Sequence, residues 1–190
     1  HYQSTSFVDA MGRPILGPAE NVKKMSRQDL IHFMDNQYVP EKMVLAAAGN
    51  VKHAEIVALA KEHFSQPKKK SADTIEKAAY KGGEFREHRE LEQLHVVLGF
   101  KGVALTDPAY FTSSLVSVVL GGGMSSRLFQ EVREKRGLVY SVYAFSNAFS
   151  DAGSFGIYAG GGEKESPELI QVILGEIEKA STTLKEHELD

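Results

Sequence analysis

The segment 138–160 constrains the fold more than any other part of the chain. Two runs rich in aromatic, β-branched and small residues, 138–148 and 154–160, flank Ser150-Asp151-Ala152-Gly153, a turn-forming cluster. Strands this close in sequence pair antiparallel, because a parallel return needs a crossover of a dozen or more residues. Upstream, Leu94, Val96, Leu98 and Phe100 alternate along one side with Val97 on the other, the period-two pattern of a further strand. Helical patterns precede, separate and follow these strands. The expected fold class is therefore α+β, a largely antiparallel sheet packed with helices, rather than a doubly wound parallel sheet.

The helices carry their own punctuation. Ser26 followed by Asp29 has the form of a capping box, and Leu30, Ile31, Phe33, Met34 and Tyr38 continue an apolar face toward Pro40, so a helix ending near Gln37 is expected. The short apolar run 43–48, bounded by Gly49-Asn50, suits a buried strand and a tight turn. Ile56, Val57, Leu59, Ala60 and Phe64 mark a second helix. Asp107 before Pro108 is a capping pair for a third, which runs through Val119 into Gly121-Gly122-Gly123. Ser125 or Ser126 is placed to cap another, with Leu128, Phe129 and Val132 inward and Gly137 as a left-handed stop. Ser166-Pro167-Glu168 opens a long helix with Leu169, Ile170, Ile173, Leu174, Ile177 and Leu184 among its apolar positions. No capping signal ends it before Asp190, so the natural protein is expected to continue. The segment 1–18, with Gly12, Pro14, Gly17 and Pro18, is expected to be a loop.

At 190 residues the chain is long enough for one sizeable domain or parts of two. Between 65 and 89 it turns polar, with Pro67, the run Lys68-Lys69-Lys70 and the pair Gly82-Gly83, and loses apolar periodicity. This is the expected linker, dividing 1–64 from 90–190. Three lysines in a connector are ordinary solvated surface.

A net charge of −3, from 22 basic and 25 acidic residues, supplies no broad basic field, so nucleic acid is not an expected partner. There is no cysteine, which excludes disulfides and thiolate zinc sites. No apolar run approaches the roughly 18 residues of a membrane span.

Seven histidines invite a search for metal ligands. Glu62-His63 and Glu186-His187 each end like the zinc motif H-x-x-E-H, but Leu59 and Thr183 stand where its first histidine belongs, and H-E-x-x-H does not occur. His63 near a helix end and His95 in a strand have structural identities. The glycine run 121–123 lacks the spacing of a nucleotide loop and suits a turn between helices. Arg133 and Tyr140 lie seven residues apart across Gly137, a spacing able to aim a guanidinium and a phenol at peptide carbonyls or an oxyanion. On chemistry alone an exposed helix arginine and a core strand tyrosine are the commoner identities.

The segment 120–141, LGGGMSSRLFQEVREKRGLVYS, resembles the signature of the second domain in zinc peptidases of the pitrilysin and insulinase type, processing-peptidase branch. GRPILGP at 12–18 and MVLAAAGNV at 43–51 look like the closing part of that family's first domain, and EQLH at 92–95 like the entry strand of the second. The resemblance implies the end of one and most of a second homologous metallopeptidase-like domain: 1–64 the C-terminal part of the first, 90–190 the N-terminal part of the second. It implies a zinc-dependent endopeptidase that cleaves peptides or presequences in a closed chamber between two such halves, as a homo- or heterodimer. The family's zinc ligands and water-activating glutamate lie upstream of the matched region, so no zinc is expected on this chain and the chain alone is expected to be inactive. What carries over by resemblance is the arginine and tyrosine pair: Arg133 holds substrate backbone, and Tyr140 binds substrate and assists the transition state. Bacterial cytoplasm or mitochondrial matrix is the implied compartment. Two rivals stand beside it: a non-catalytic partner or respiratory-complex core-type homologue, and an unrelated peptide-binding module.

Overall fold

The computed structural model describes residues 1–64 and 76–188. Compact packing divides the chain into two units, His1–Pro14 with Glu76–Asp190, and Ile15–Ile75. Within the expected linker, 65–75 with its lysine run lies outside the described residues, as do Leu189 and Asp190.

The larger unit is built on three antiparallel strands, β1 (Leu94–Lys101), β2 (Val139–Ala148) and β3 (Gly153–Gly161), in the order β1-β3-β2. The hairpin stands as the sequence indicates, with Ala148 paired to Gly153, and its second strand lies centrally because β1 pairs along its free edge. Helices α5 (Tyr110–Gly121) and α6 (Ser166–Thr183) belong to the same unit, with a π-helical segment, Phe129–Glu134, between them in sequence. The core consists of Leu120 from α5, Leu128 and Val132, Leu138, Val139 and Val142, Ile157 and Ala159 from β3, and Leu169 and Ile173 from α6. Each valine, leucine or isoleucine among them contributes about 1.5–3 kcal/mol on removal from water, before conformational entropy is set against it. The fold class is α+β.

At its N-terminal end the segment expected as a loop contains α1 (Tyr2–Ser6) and a 3-10 turn at Ala10–Gly12. Periodicity is unreadable over five residues, and burial organises the segment instead: Phe7 is buried edge-on against Tyr80 and Phe149. At the other end, α6 stops at Thr183, where Leu184 turns extended. In its last turns the hydroxyls of Ser181 and Thr183 donate back to the carbonyls of Glu178 and Lys179.

The smaller unit holds α2 (Ala19–Lys24), α3 (Arg27–Gln37), a 3-10 turn at Pro40–Lys42 and α4 (His53–Phe64). The capping box is formed: Ser26 Oγ accepts from the Asp29 N–H at 3.3 Å, and the Asp29 carboxylate accepts from the Ser26 N–H at 2.8 Å. The run 43–48 is not a strand. Among the described residues it pairs with nothing, and Val44 is 95% exposed. An apolar run becomes a strand only where a neighbour completes its ladder, and the described part of this unit contains no other strand.

Candidate functional site

Tyr140 occupies an irregularity in β2. Val139 opposes Gly161 and Ser141 opposes Gly160, adjacent residues on β3, so Tyr140 is the extra residue of a β-bulge. Bulges re-aim a side chain that a regular ladder would hold to one face. Val139 and Val142 are both buried although three positions apart, which the period of two forbids unless one residue is taken out of the alternation. Tyr140 is that residue, and 69% of it is exposed. It borders a cleft of about 190 Å³ whose other walls are Gly137, Leu138, Val139, Gly162 and Glu165.

Arg133 occupies a second irregularity. The Lys135 N–H donates to the Gln130 carbonyl, five residues back, at 3.0 Å, the bond that defines a π turn. Gly137, at φ 64°, ends the segment. Its N–H donates to the Arg133 carbonyl at 3.0 Å, and the Leu138 N–H donates to the Val132 carbonyl at 2.9 Å. These bonds span four and six residues, each one wider than the pair that closes an α-helix in a Schellman motif. The Arg133 side chain is exposed, with its guanidinium carbon 4.8 Å from the centroid of the Phe129 ring. Arg133 and Tyr140 thus flank one turn with different immediate neighbours, and Arg133 does not line the cleft that Tyr140 borders.

The surrounding chain is held by charge and hydrogen bonds. Glu131 pairs with Lys135 and, at 2.6 Å, with Arg136, and these cations hold its carboxyl below the ordinary 4.5. Arg127 donates to both carboxylate oxygens of Glu188, at 2.6 and 2.7 Å, and to the Thr183 carbonyl at 2.8 Å. The bond to Glu188 raises the Arg127 pKa above its usual value. Ser126 is buried and does not cap the helix through its side chain: its hydroxyl donates to the Gly123 carbonyl at 2.6 Å. The Gln130 amide donates to the Met124 carbonyl at 2.8 Å, tying the preceding loop to the π segment. Gly121 is required by proximity, since a Cβ there would lie 2.3 Å from the Ala144 amide nitrogen of β2.

The histidines stand apart from these residues. His95 Nδ1 lies 2.7 Å from the Tyr158 hydroxyl, and His63 is in the last turn of α4. Among the described residues no three His, Asp or Glu side chains are grouped so as to hold a metal ion. Among the same residues no helix is long and apolar enough to cross a membrane.

Sequence reasoning named Arg133 and Tyr140 as candidates and missed both irregularities that carry them. The odd spacing from Val139 to Val142 was the one available sign of the bulge. Nothing in the pattern 128–136 distinguishes a π turn from an α turn.

Comparison with known proteins gives this architecture a context. The family described as the peptidase M16 inactive domain matches residues 24–190. The chain is 36% identical over 187 residues to an uncharacterized zinc protease of Streptomyces coelicolor, covering 93% of this chain and 41% of that protein. It is 35% identical over 182 residues to the uncharacterized zinc protease YmxG of Bacillus subtilis, covering 94% and 44%. The chain thus spans less than half the length of these relatives. Among solved structures, a peptidase M16 inactive domain from Pseudomonas fluorescens superposes with a TM-score of 0.80 at 25% identity, over 98% of this chain and 47% of that one. A chain of complex III2 from Candida albicans superposes with a TM-score of 0.87 at 23% identity, over 100% and 48%, a likeness of fold alone.

Proposed function

Because the chain belongs to the peptidase M16 inactive-domain family, we propose that it forms part of a zinc-dependent metalloendopeptidase and supplies substrate-binding and transition-state-assisting residues, not metal ligands. The observation that carries this is the setting of Tyr140: a large aromatic side chain, exposed, on the one residue that β2 removes from its ladder. A residue needed only for packing would sit in the alternation and face the core.

The chemistry follows from the groups. The phenol of Tyr140 donates a hydrogen bond to the carbonyl oxygen of the scissile peptide, and that bond strengthens as negative charge develops on the oxygen. Arg133 presents a planar set of N–H donors to a second backbone carbonyl of the substrate. An extended peptide has outer sheet edges at β1 and β2 on which to add as a strand.

Zinc belongs in this proposal to the rest of a longer protein, together with its ligands, and supplies Lewis-acid polarisation there. The homologous division stays within the proposal as well: 1–64 the closing part of a first domain, 65–89 a linker and 90–190 the opening part of a second. Its support is apolar surface without a described partner, Val44 in the smaller unit and the stripe Phe111, Leu115 and Val118 along α5. A second two-domain half, identical or different, would complete a closed chamber.

The deciding experiment is steady-state cleavage of an unstructured peptide by the full-length protein carrying Tyr140→Phe. The expected result is a kcat lower by about 100-fold with KM changed far less, as for loss of one oxyanion donor. Unchanged kcat removes the assigned role. A full-length protein with no zinc-dependent cleavage would support the non-catalytic alternative, a partner or respiratory-complex core-type subunit. Efficient cleavage by the 190-residue chain with added zinc would overturn the division of labour.

A further inference from the structure

Four basic side chains lie between positions 127 and 136: Arg127, Arg133, Lys135 and Arg136. Three of them are committed to carboxylates. Arg127 is gripped by Glu188, while Lys135 and Arg136 share Glu131. Among the described residues Arg133 has no such partner, and its side chain rests on a ring, that of Phe129.

This difference matters for what a guanidinium can do next. A carboxylate partner occupies N–H donors and has to be displaced before a substrate carbonyl can take its place. A ring under the guanidinium attracts the cation through its π face and is not a carboxylate that must be displaced from the N–H groups. It therefore fixes where the cation sits while leaving its donors open.

The backbone makes the arrangement. Phe129 and Arg133 are the first and fifth residues of the π segment, and side chains four positions apart share one face of a helix, so the later one lies over the earlier. The ring is itself held, because Phe129 is half-buried against the core that contains Leu128 and Val132. Gly137 and the Val132 carbonyl close the turn behind it, so backbone and ring together restrict the arginine.

We propose that Phe129 is a positioning residue for Arg133: its ring holds the guanidinium by a cation–π contact with the N–H donors left free for the backbone of a bound polypeptide. The proposal rests on the substrate-binding role assigned to Arg133 above and adds the residue through which that role is prepared.

The test uses the full-length protein and two independent readouts. Phe129 is replaced by its mono-, di- and trifluorinated analogues, which keep the ring's volume nearly constant while draining its π face, and by Phe129→Leu. Arg133 Nε–Hε correlation spectra report position without reference to activity. The Arg133 signal is expected to carry a ring-current shift that Phe129→Leu abolishes; an unshifted signal in the parent protein overturns the proposal. In peptide cleavage, KM is expected to rise stepwise along the fluorinated series to about twofold to fivefold, the size an exposed cation–π contact supports, with kcat little changed. In an Arg133→Ala background the same replacements should have no further effect. A flat fluorinated series, or effects that persist without the arginine, shows that Phe129 serves packing alone. Failure of the parent reading looks different: the ring-current shift is present, yet Arg133→Ala leaves cleavage unaltered.

Discussion

Arg127 and Glu188 meet through two hydrogen bonds, at 2.6 and 2.7 Å, across sixty-one positions of sequence. The same guanidinium donates to the Thr183 carbonyl, so one side chain both pairs an acid and places a cation at the C-terminal end of α6. Neither partner is strongly exposed, 13% for the arginine side chain and 19% for the glutamate. Charge-assisted bonds of this kind contribute about 1.5–3 kcal/mol when solvent is partly excluded. Arg127→Ala is expected to cost about 2 kcal/mol, with Arg127→Lys recovering part of it because an ammonium cannot form the two-pronged contact. Urea unfolding followed by circular dichroism would measure it, and an unchanged midpoint would mean the contact does not stabilise the chain.

Gly121 gives a prediction in which the sign decides. Helix propensity favours alanine over glycine by about 1 kcal/mol. Against this, the added Cβ would lie 2.3 Å from the Ala144 nitrogen and 2.9 Å from the Tyr143 carbonyl carbon, both backbone atoms that no rotamer change can move. Overpacking of this kind costs about 1–3 kcal/mol, so Gly121→Ala is expected to destabilise. A higher melting temperature for the variant would show that α5 has room to withdraw from the sheet.

Glu131 supplies a pH dependence. Its carboxyl is held below the ordinary 4.5, first by Lys135 and then by Arg136. A group whose pKa is lower when folded releases its proton more readily in the native state. Its contribution is therefore complete above the unfolded value and is lost as pH falls through the folded one. The stability of Glu131→Gln relative to the parent should be lower at pH 7, with the two converging below about pH 4 as the parent takes up its proton. The difference should shrink in added salt, since Lys135 and Arg136 both reach solvent. Parallel stability curves across that range would exclude the role.

Local chemistry was legible wherever a few neighbouring residues decide the outcome. The Ser26–Asp29 box, the stop at Gly137 and the hairpin 139–161 all follow from side-chain rules that act within a handful of positions. The run 43–48 shows the boundary of such rules: its composition suits a strand, but a ladder needs a second strand, and none is described in that unit. The bulge at Tyr140, hinted at only by the spacing of Val139 and Val142, and the π turn under Arg133, with no such hint, were hard to read for a related reason. Each is a one-residue offset between two ladders, set by what lies across the sheet or along the next turn, and no propensity scale encodes an offset. The candidate side chains themselves were found through a resemblance in 120–141, not through geometry.

Because Tyr140 stands outside the pairing, β2 would keep its phase without it. Val139 would still face the core opposite Gly161, Ser141 would still oppose Gly160, and Val142 would still reach the interior. The strand thus carries one letter more than its architecture uses. A lineage could shed that letter in a single codon loss and retain a well-formed sheet that has merely fallen silent.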